Sequence, residues 1–308
     1  MNEFELRTPV AFIIFNRPEP TRRIFARIRE VKPERLLVIA DGPRPSQKGE
    51  AENCAATRTL IESGIDWPCD VRRNYAEVNM GCRRRVASGL SWVFEQVEEA
   101  IIVEDDCLPN PTFFRYCREL LERFRDDTRI MSISGDNFQF GRRRTEESYY
   151  FSRFPHIWGW ASWRRAWQFY DLDMKLWPRL RDGGWLADIL GDRRAVAYWT
   201  QIFQATYEGR IDTWDYQWLL AVWANSGLAI LPNENLVTNI GFEANSTHTR
   251  GRTRQANVPS IAMRFPMKHP PCIIRDRGAD ERVQKQYYPP HLGKRILGKL
   301  QQMVRRNS

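Results

Sequence analysis

Apolar runs in the first half of the chain are short and continuous, and each is followed by a stretch with helical spacing. Val10–Phe15 is unbroken and apolar, and it predicts a buried strand. Asn16 is placed to cap a helix from Pro18 to about Val31, with proline in the first turn, where its missing N–H costs nothing. Arg35–Ala40 predicts a second strand, ending in Asp41-Gly42-Pro43. A polar loop, a helix through about Ile61 and a short strand near Val71 follow. Val86, Leu90, Val93, Phe94 and Val97 recur at helical intervals, so Gly81–Val97 is expected to be helical. Ala100–Val103 is a strand that runs straight into Glu104, Asp105 and Asp106. Asn110-Pro111 then opens a helix to about Phe124, and Arg129–Ile133 closes the half with another strand.

Strands alternating with amphipathic helices predict an α/β fold with a mostly parallel, covered central sheet. Such sheets bind ligands at the carboxyl ends of their strands. Asn16, Asp41 and Glu104–Asp106 all fall at strand ends, so they are expected to converge on one crevice.

The second half has a different texture. Residues 142–147 form a charged loop, and tryptophan then recurs at 158, 160, 163, 167, 177, 185, 199, 214 and 218. Helices are predicted over 159–169, 193–208 and 215–225, with a strand at Leu228–Leu231. Trp160, Trp163 and Trp167 lie at i, i+3 and i+7, one stripe of a helix, which serves either as core or as a sugar platform. Beyond about Thr253 the chain is proline-rich and irregular, and it ends in LGKRILGKLQQMVRRNS. With no internal repeat and no long linker, a single domain over 1–253 is expected. It would have two halves (1–140 and 141–253) and a C-terminal extension over 254–308.

Composition narrows the class. The chain has 308 residues, 42% hydrophobic and 28% charged, which suits an ordered globular protein. MNEFELRTP is not a secretory signal, and runs such as Val10–Phe15 and Trp218–Ala224 are too short to span a bilayer. Six cysteines without a CxxC pair suggest reduced thiols in the cytoplasm, not a zinc site or a disulfide framework. Of 47 basic residues 40 are arginine, and the net charge is +9. Arginine's planar fork suits phosphate, although genomic codon bias also enriches it. Anionic partners are therefore expected: a nucleotide, a nucleic acid or a lipid surface.

Three carboxylates at the tip of a buried strand repel one another and call for a cation or a hydroxyl-rich ligand, the alternative being an ordinary acidic turn. Mg²⁺ or Mn²⁺ commonly uses one or two protein carboxylates together with substrate phosphates. Ile-Val-Glu-Asp-Asp at 102–106, followed by Pro111-Thr112-Phe113-Phe114, resembles the metal-motif region of the N-acetylglucosaminyltransferase I family, GT-A-fold enzymes that use nucleotide-diphosphate sugars. Further echoes come in the family's order, over roughly residues 8 to 250: Phe15-Asn16-Arg17-Pro18, Asp41, Gly81 to Phe94, Trp158-Gly159-Trp160 and Trp214-Asp215.

The resemblance implies a GT-A-type fold with a tryptophan-rich helical acceptor lobe. It implies Asp106 on the metal, Asp105 on the ribose side, and Glu104 at the transferred sugar or acceptor. Asn16, Arg17 and Asp41 would hold the nucleotide, with Asp41 accepting from the base's imide N–H, so a UDP-sugar is the favoured donor and nucleic acid is not an expected partner. Asp215 matches the segment that bears the family's catalytic base; among aromatics its pKa should rise, though it also suits a helix cap, and Asp212 is its competitor. The Arg83-Arg84-Arg85 run at a helix start favours phosphate, with Arg85 the chosen contact and a solvated basic face the alternative. Trp158 or Trp160 would line the acceptor site, and His248 is a candidate second metal ligand. The family's eukaryotic members begin with a membrane anchor; no such segment opens this sequence.

The expectation is thus an inverting, metal-dependent glycosyltransferase acting on a glycan or lipid-linked acceptor. Its alternatives are a sugar nucleotidyltransferase, against which the glycine-free Phe15–Pro20 loop counts, and a non-catalytic carbohydrate-binding protein. Ile296, Leu297, Leu300, Met303 and Val304 share a helical face with basic residues around it, so the tail is expected either to lie on an anionic membrane surface or to pack on the domain.

Overall fold

The structure, a computed structural model, describes residues 6–241 and 257–288. His248 and the basic tail from Leu292 lie outside the described residues.

The first half builds the parallel core. Strand β1 (Val10–Ile14) leads to helix α1 (Pro18–Val31), then β2 (Arg35–Ala40), α2 (Glu50–Gly64), β3 (Asp70–Tyr75), α3 (Gly81–Gln96) and β4 (Glu99–Glu104). A short β5 (Cys107–Pro109), helix α4 (Thr112–Arg123) and β6 (Ile130–Ser134) complete it. The second half adds β7 (Tyr149–Ser152), β8 (Trp160–Trp163), α5 (Arg164–Trp167), α6 (Trp177–Asp182), α7 (Leu186–Leu190), α8 (Arg193–Tyr207) and α9 (Asp215–Ala224). It closes with β9 (Leu228–Pro232), β10 (Val237–Asn239) and α10 (Arg277–Gln286). None of the described helices is long and apolar enough to cross a membrane.

Eight strands form one mixed sheet in the order β3-β2-β1-β4-β8-β6-β9-β7, and β5 pairs with β10 in a small second sheet. Strands β1 to β4 are mutually parallel, whereas β8 runs antiparallel between β4 and β6. Successive strand residues point to opposite faces. In β1, Ala11 and Ile13 therefore join one hydrophobic core, and Val10, Phe12 and Ile14 join the other. Helices α1 and α4 cover the second core; α3 and the tryptophan-rich helices cover the first.

Two expectations from the sequence are corrected. Residues 160–163 are a central strand and not part of a helix over 159–169. Trp160 and Trp163 therefore do not share a face: three residues apart on a strand, they enter opposite cores. Asn16 does not cap α1 either, since the cap position is Arg17 and no side chain fills that role. The segment 257–288 packs back on the sheet, burying Met263, Met267, Ala279 and Val283. Asp276 caps α10 at Ala279 N–H (2.8 Å) and is gripped by Arg144 through two 2.8 Å bonds.

Candidate active site

After β1 the chain continues to β2 on one side, while β4 is added on β1's other side. The carboxyl ends of β1 and β4 therefore flank a switch point, where open α/β sheets form crevices. A cleft of about 340 Å³ lies there.

Its floor is the acidic tip of β4. Phe15 N–H donates to Asp105 Oδ2 at 3.0 Å, tying the ends of β1 and β4 together. The Arg17 guanidinium bridges the acids, with Nη2 on Asp105 and Nη1 on Asp106 Oδ2 at 3.1 Å. Asp105 is 3% exposed, so this residue braces the two strand ends from within. Burial pushes Asp105 upward in pKa, and the Arg17 charge opposes that shift. Glu104 is pushed well above the usual carboxylate range, first by burial and then by the Asp106 and Asp105 charges. Among these four residues three carboxyl groups share one guanidinium, so they compete for a single positive charge.

The other walls come from strand ends and α3. Asp41 Oδ1 accepts from the N–H groups of Gly42 and Met80, both at 2.9 Å, and its Oδ2 accepts from Asn79 at 3.0 Å. It lines the cleft with part of its accepting capacity already used by its own loop. Arg85 also lines the cleft, but it is 4% exposed. Its guanidinium donates to the Ala40 carbonyl (3.2 Å) and to Asn74, clamping the ends of β2 and β3. Asn16 does not line the cleft: its amide donates to Glu50 at 2.8 Å. Glu50 also holds Arg44, and Arg44 reaches the cleft in place of Asn16.

Gly159 has φ +66, and a Cβ there would lie 2.7 Å from Val237 Cγ2, so the turn between the two tryptophans needs glycine. Across that turn Trp158 lines the cleft, whereas Trp160 enters the core against Trp214 (centroids 5.7 Å apart). The acceptor-site expectation for Trp160 is thus corrected: it is fully buried.

Asp215 opens α9, and Thr213 donates its hydroxyl to it. Although some of its surface is accessible, the carboxyl is enclosed; burial raises its pKa and the Thr213 hydrogen bond opposes this. It lines not the cleft but a smaller chamber of about 60 Å³, and Trp158 belongs to both walls. Its charge acts on Glu104 and Cys82, which line the cleft. The competitor Asp212 lines the cleft and accepts from Arg83 N–H at 3.3 Å, at the start of α3.

Asp106 is the residue best placed for a cation, with 19% of its side chain exposed and its carboxylate on the cleft. Its Oδ1 accepts from the Cys107 thiol at 3.3 Å. Among the described residues no three histidine, cysteine or acidic side chains are grouped to enclose a metal ion. The hard oxygens of Asp106 and Glu104 suit a Mg²⁺ or Mn²⁺ held jointly with a ligand's phosphates, not one enclosed by protein alone.

The sequence reading missed Arg44, Cys82, Asn239 and Gly241 on the cleft and Asp136 and His156 in the chamber. Asp136 was findable, because it follows β6 as Asp41 follows β2. Asn239 and Gly241 were not, because β10 reaches Asp106 only by pairing with β5.

Fold and site together define a mixed α/β protein with an acidic, arginine-bridged cleft at the switch point of a large helix-flanked sheet. No protein family and no curated protein matches the chain. Among solved structures it aligns with S. aureus TarS residues 1–349 at 10% identity and a TM-score of 0.41, covering 75% of this chain and 59% of that one. It aligns with UDP-glucose pyrophosphorylase complexed with UDP-glucose at 11% identity and a TM-score of 0.36, covering 73% and 90%. For 4-diphosphocytidyl-2C-methyl-D-erythritolsynthase from Anaerococcus prevotii DSM 20548 the values are 10%, 0.31, 53% and 74%. These likenesses are too loose to transfer a residue role or an activity.

Proposed function

We propose that the protein is an inverting glycosyltransferase of the GT-A type. It would move a sugar from a nucleoside-diphosphate donor, with a UDP-sugar favoured, to a hydroxyl of a glycan or lipid-linked acceptor. The observation that carries the reading is the cleft itself: Arg17, Asp41, Glu104, Asp105 and Asp106 share one crevice at the switch point, where a phosphorylated ligand meets strand ends.

Asp41 and the end of α3 form the nucleotide side. Arg17 offers positive charge to the diphosphate while keeping Asp105 in place. Asp106 would hold Mg²⁺ or Mn²⁺, whose charge, when bound, favours departure of the nucleoside diphosphate, and Glu104 beside it would face the transferred sugar or the acceptor. Asp215 takes the proton of the acceptor hydroxyl. The hydroxyl oxygen then forms its bond to the anomeric carbon as the bond from that carbon to the diphosphate oxygen breaks. A carboxylate whose pKa is raised by burial suits that proton transfer. His248 as a further cation ligand, and the tail as an anionic-membrane contact at the cytoplasmic face, complete the proposal.

The test is thermal stabilisation of the full chain by UDP, GDP and CDP, with and without Mn²⁺, followed by release of nucleoside diphosphate from UDP-glucose and UDP-N-acetylglucosamine. Metal-dependent stabilisation by one nucleotide, together with diphosphate release, is expected. No response to any nucleotide overturns the reading, and pyrophosphate formation from a nucleoside triphosphate and a sugar phosphate replaces it with nucleotidyl transfer.

A further inference from the structure

The 60 Å³ chamber beside Asp215 holds two buried polar residues that the reaction above does not use. Asp136 follows β6, and His156 precedes the Trp158 turn; they are 1% and 3% exposed. Ser134 fixes the histidine backbone, donating to the His156 carbonyl at 2.8 Å and accepting its N–H at 3.0 Å. His156 Nδ1 lies 3.6 Å from Asp136 Oδ2, too long for a hydrogen bond. Asp136 Oδ1 and His156 Nε2 have no hydrogen-bond partner among the described residues. Polar atoms left unpaired at that depth are unfavourable, so the chamber is built to receive something that pairs with them.

Its shape limits what that is. About 60 Å³ is room for a few waters or one small sugar substituent, against about 340 Å³ in the cleft. The walls are aromatic: Phe138 stacks on Tyr287 at 4.6 Å, and Trp158 meets Phe138 perpendicularly at 5.2 Å. Asp136 and His156 offer no net charge to pair with, so an anionic substituent would be buried beside Asp215 with no counterion, and a cationic one would occupy the carboxylate that serves as the base. A hydroxyl can donate to the one and pair with the other.

We propose that this chamber seats a hydroxyl-bearing substituent of a neutral acceptor sugar, with Asp136 and His156 as the residues that recognise it. The proposal rests on the glycosyltransferase reading, because it places the acceptor's reacting hydroxyl beside Asp215 on the same wall. Trp158, shared by both walls, leaves the sugar ring between chamber and cleft.

The test is ligand-observed NMR titration of the full chain with methyl α- and β-glucopyranoside, galactopyranoside and mannopyranoside, with UDP affinity measured separately. The wild type is compared with His156→Phe, Asp136→Ala, His156→Gln and Asp136→Asn. The wild type is expected to bind at least one glycoside. His156→Phe keeps the ring volume without a polar atom, and it should weaken that glycoside about tenfold or more, as should Asp136→Ala. The Gln and Asn variants retain a hydrogen-bonding group and should keep most of the affinity, and UDP binding should be unchanged in all four. A wild type that binds none of the glycosides, or a His156→Phe protein that binds them as the wild type does, overturns the proposal and leaves a chamber for water. If UDP does not bind but glycoside affinity follows the variants, the donor reading falls and the chamber assignment stands.

Discussion

Replacing Arg17 with methionine keeps most of the side chain's length and removes the one charge that bridges Asp105 and Asp106. In the folded protein Asp105 has 4% of its side chain exposed and Arg17 has 27%. Removing one member of a buried ion pair typically costs about 3–5 kcal/mol, because the partner is left desolvated and uncompensated. Here the lower end, about 3 kcal/mol, is expected, since solvent reaches Arg17 and screens the pair. Asp105 also keeps the Phe15 N–H at 3.0 Å, and Asp106 keeps the Cys107 thiol at 3.3 Å. Urea denaturation at pH 7 reads the loss directly. A second readout checks the cause. A cation that binds only the folded form adds RT ln(1 + [L]/Kd) of stability. With the competing guanidinium gone, Mn²⁺ should therefore stabilise Arg17→Met more than the wild type. A loss below about 1 kcal/mol, the size of an exposed pair, refutes the view that Arg17 neutralises the acidic tip. Equal stabilisation by Mn²⁺ would show that the cation and Arg17 do not share these carboxylates.

Three further expectations follow from particular residues. Asp106→Ala should lose metal-dependent nucleotide stabilisation, whereas Asp215→Asn should keep it while slowing transfer about 10²–10⁴-fold; an Asp215→Asn enzyme at the wild-type rate removes the base assignment and makes Asp212 the next candidate. Burial lifts Asp280 to about 6, above its ordinary 3.8, even though Ser152 donates to it at 2.6 Å. The folded state therefore holds that proton more tightly than the unfolded state, and this contribution is intact below about pH 4 and lost as pH rises through 6. Asp280→Asn should accordingly gain on the wild type by up to about 3 kcal/mol between pH 4 and pH 7, and an unchanged difference across that range counts against the assignment. Trp218 is fully buried and packs 5.8 Å from Trp160 and 5.3 Å from Trp167, so Trp218→Ala should cost about 3–5 kcal/mol in urea melts; a loss under about 1 kcal/mol would mean that the aromatic core repacks freely.

The parallel half of the fold was legible in the residues themselves. Val10–Ile14, Leu36–Ala40 and Ala100–Val103 are apolar throughout because both faces of those strands are buried, and α1 and α3 carry the spacing of a single covered face. The acidic tip was legible for the same reason, since three acids directly after a buried run mark the end of the strand. Trp160–Trp163 was not. Four residues buried on both sides show no alternation, and tryptophans three and seven apart fit a helix equally well. Only insertion between β4 and β6 decided for a strand, and it sent Trp160 into the core and left Trp158 on the cleft. The side-chain partners were likewise beyond local reading. Asn16 turns to Glu50, Arg85 to the ends of β2 and β3, and Asp212 to Arg83, 129 positions away. Periodicity reports which face of an element is covered, whereas a polar side chain's partner depends on which distant elements the folded chain brings beside it. The amino-acid order thus determined the parallel strands, their covering helices and the acid-tipped strand end, and tertiary packing decided which polar groups face the cleft and which spend their hydrogen bonds holding it together.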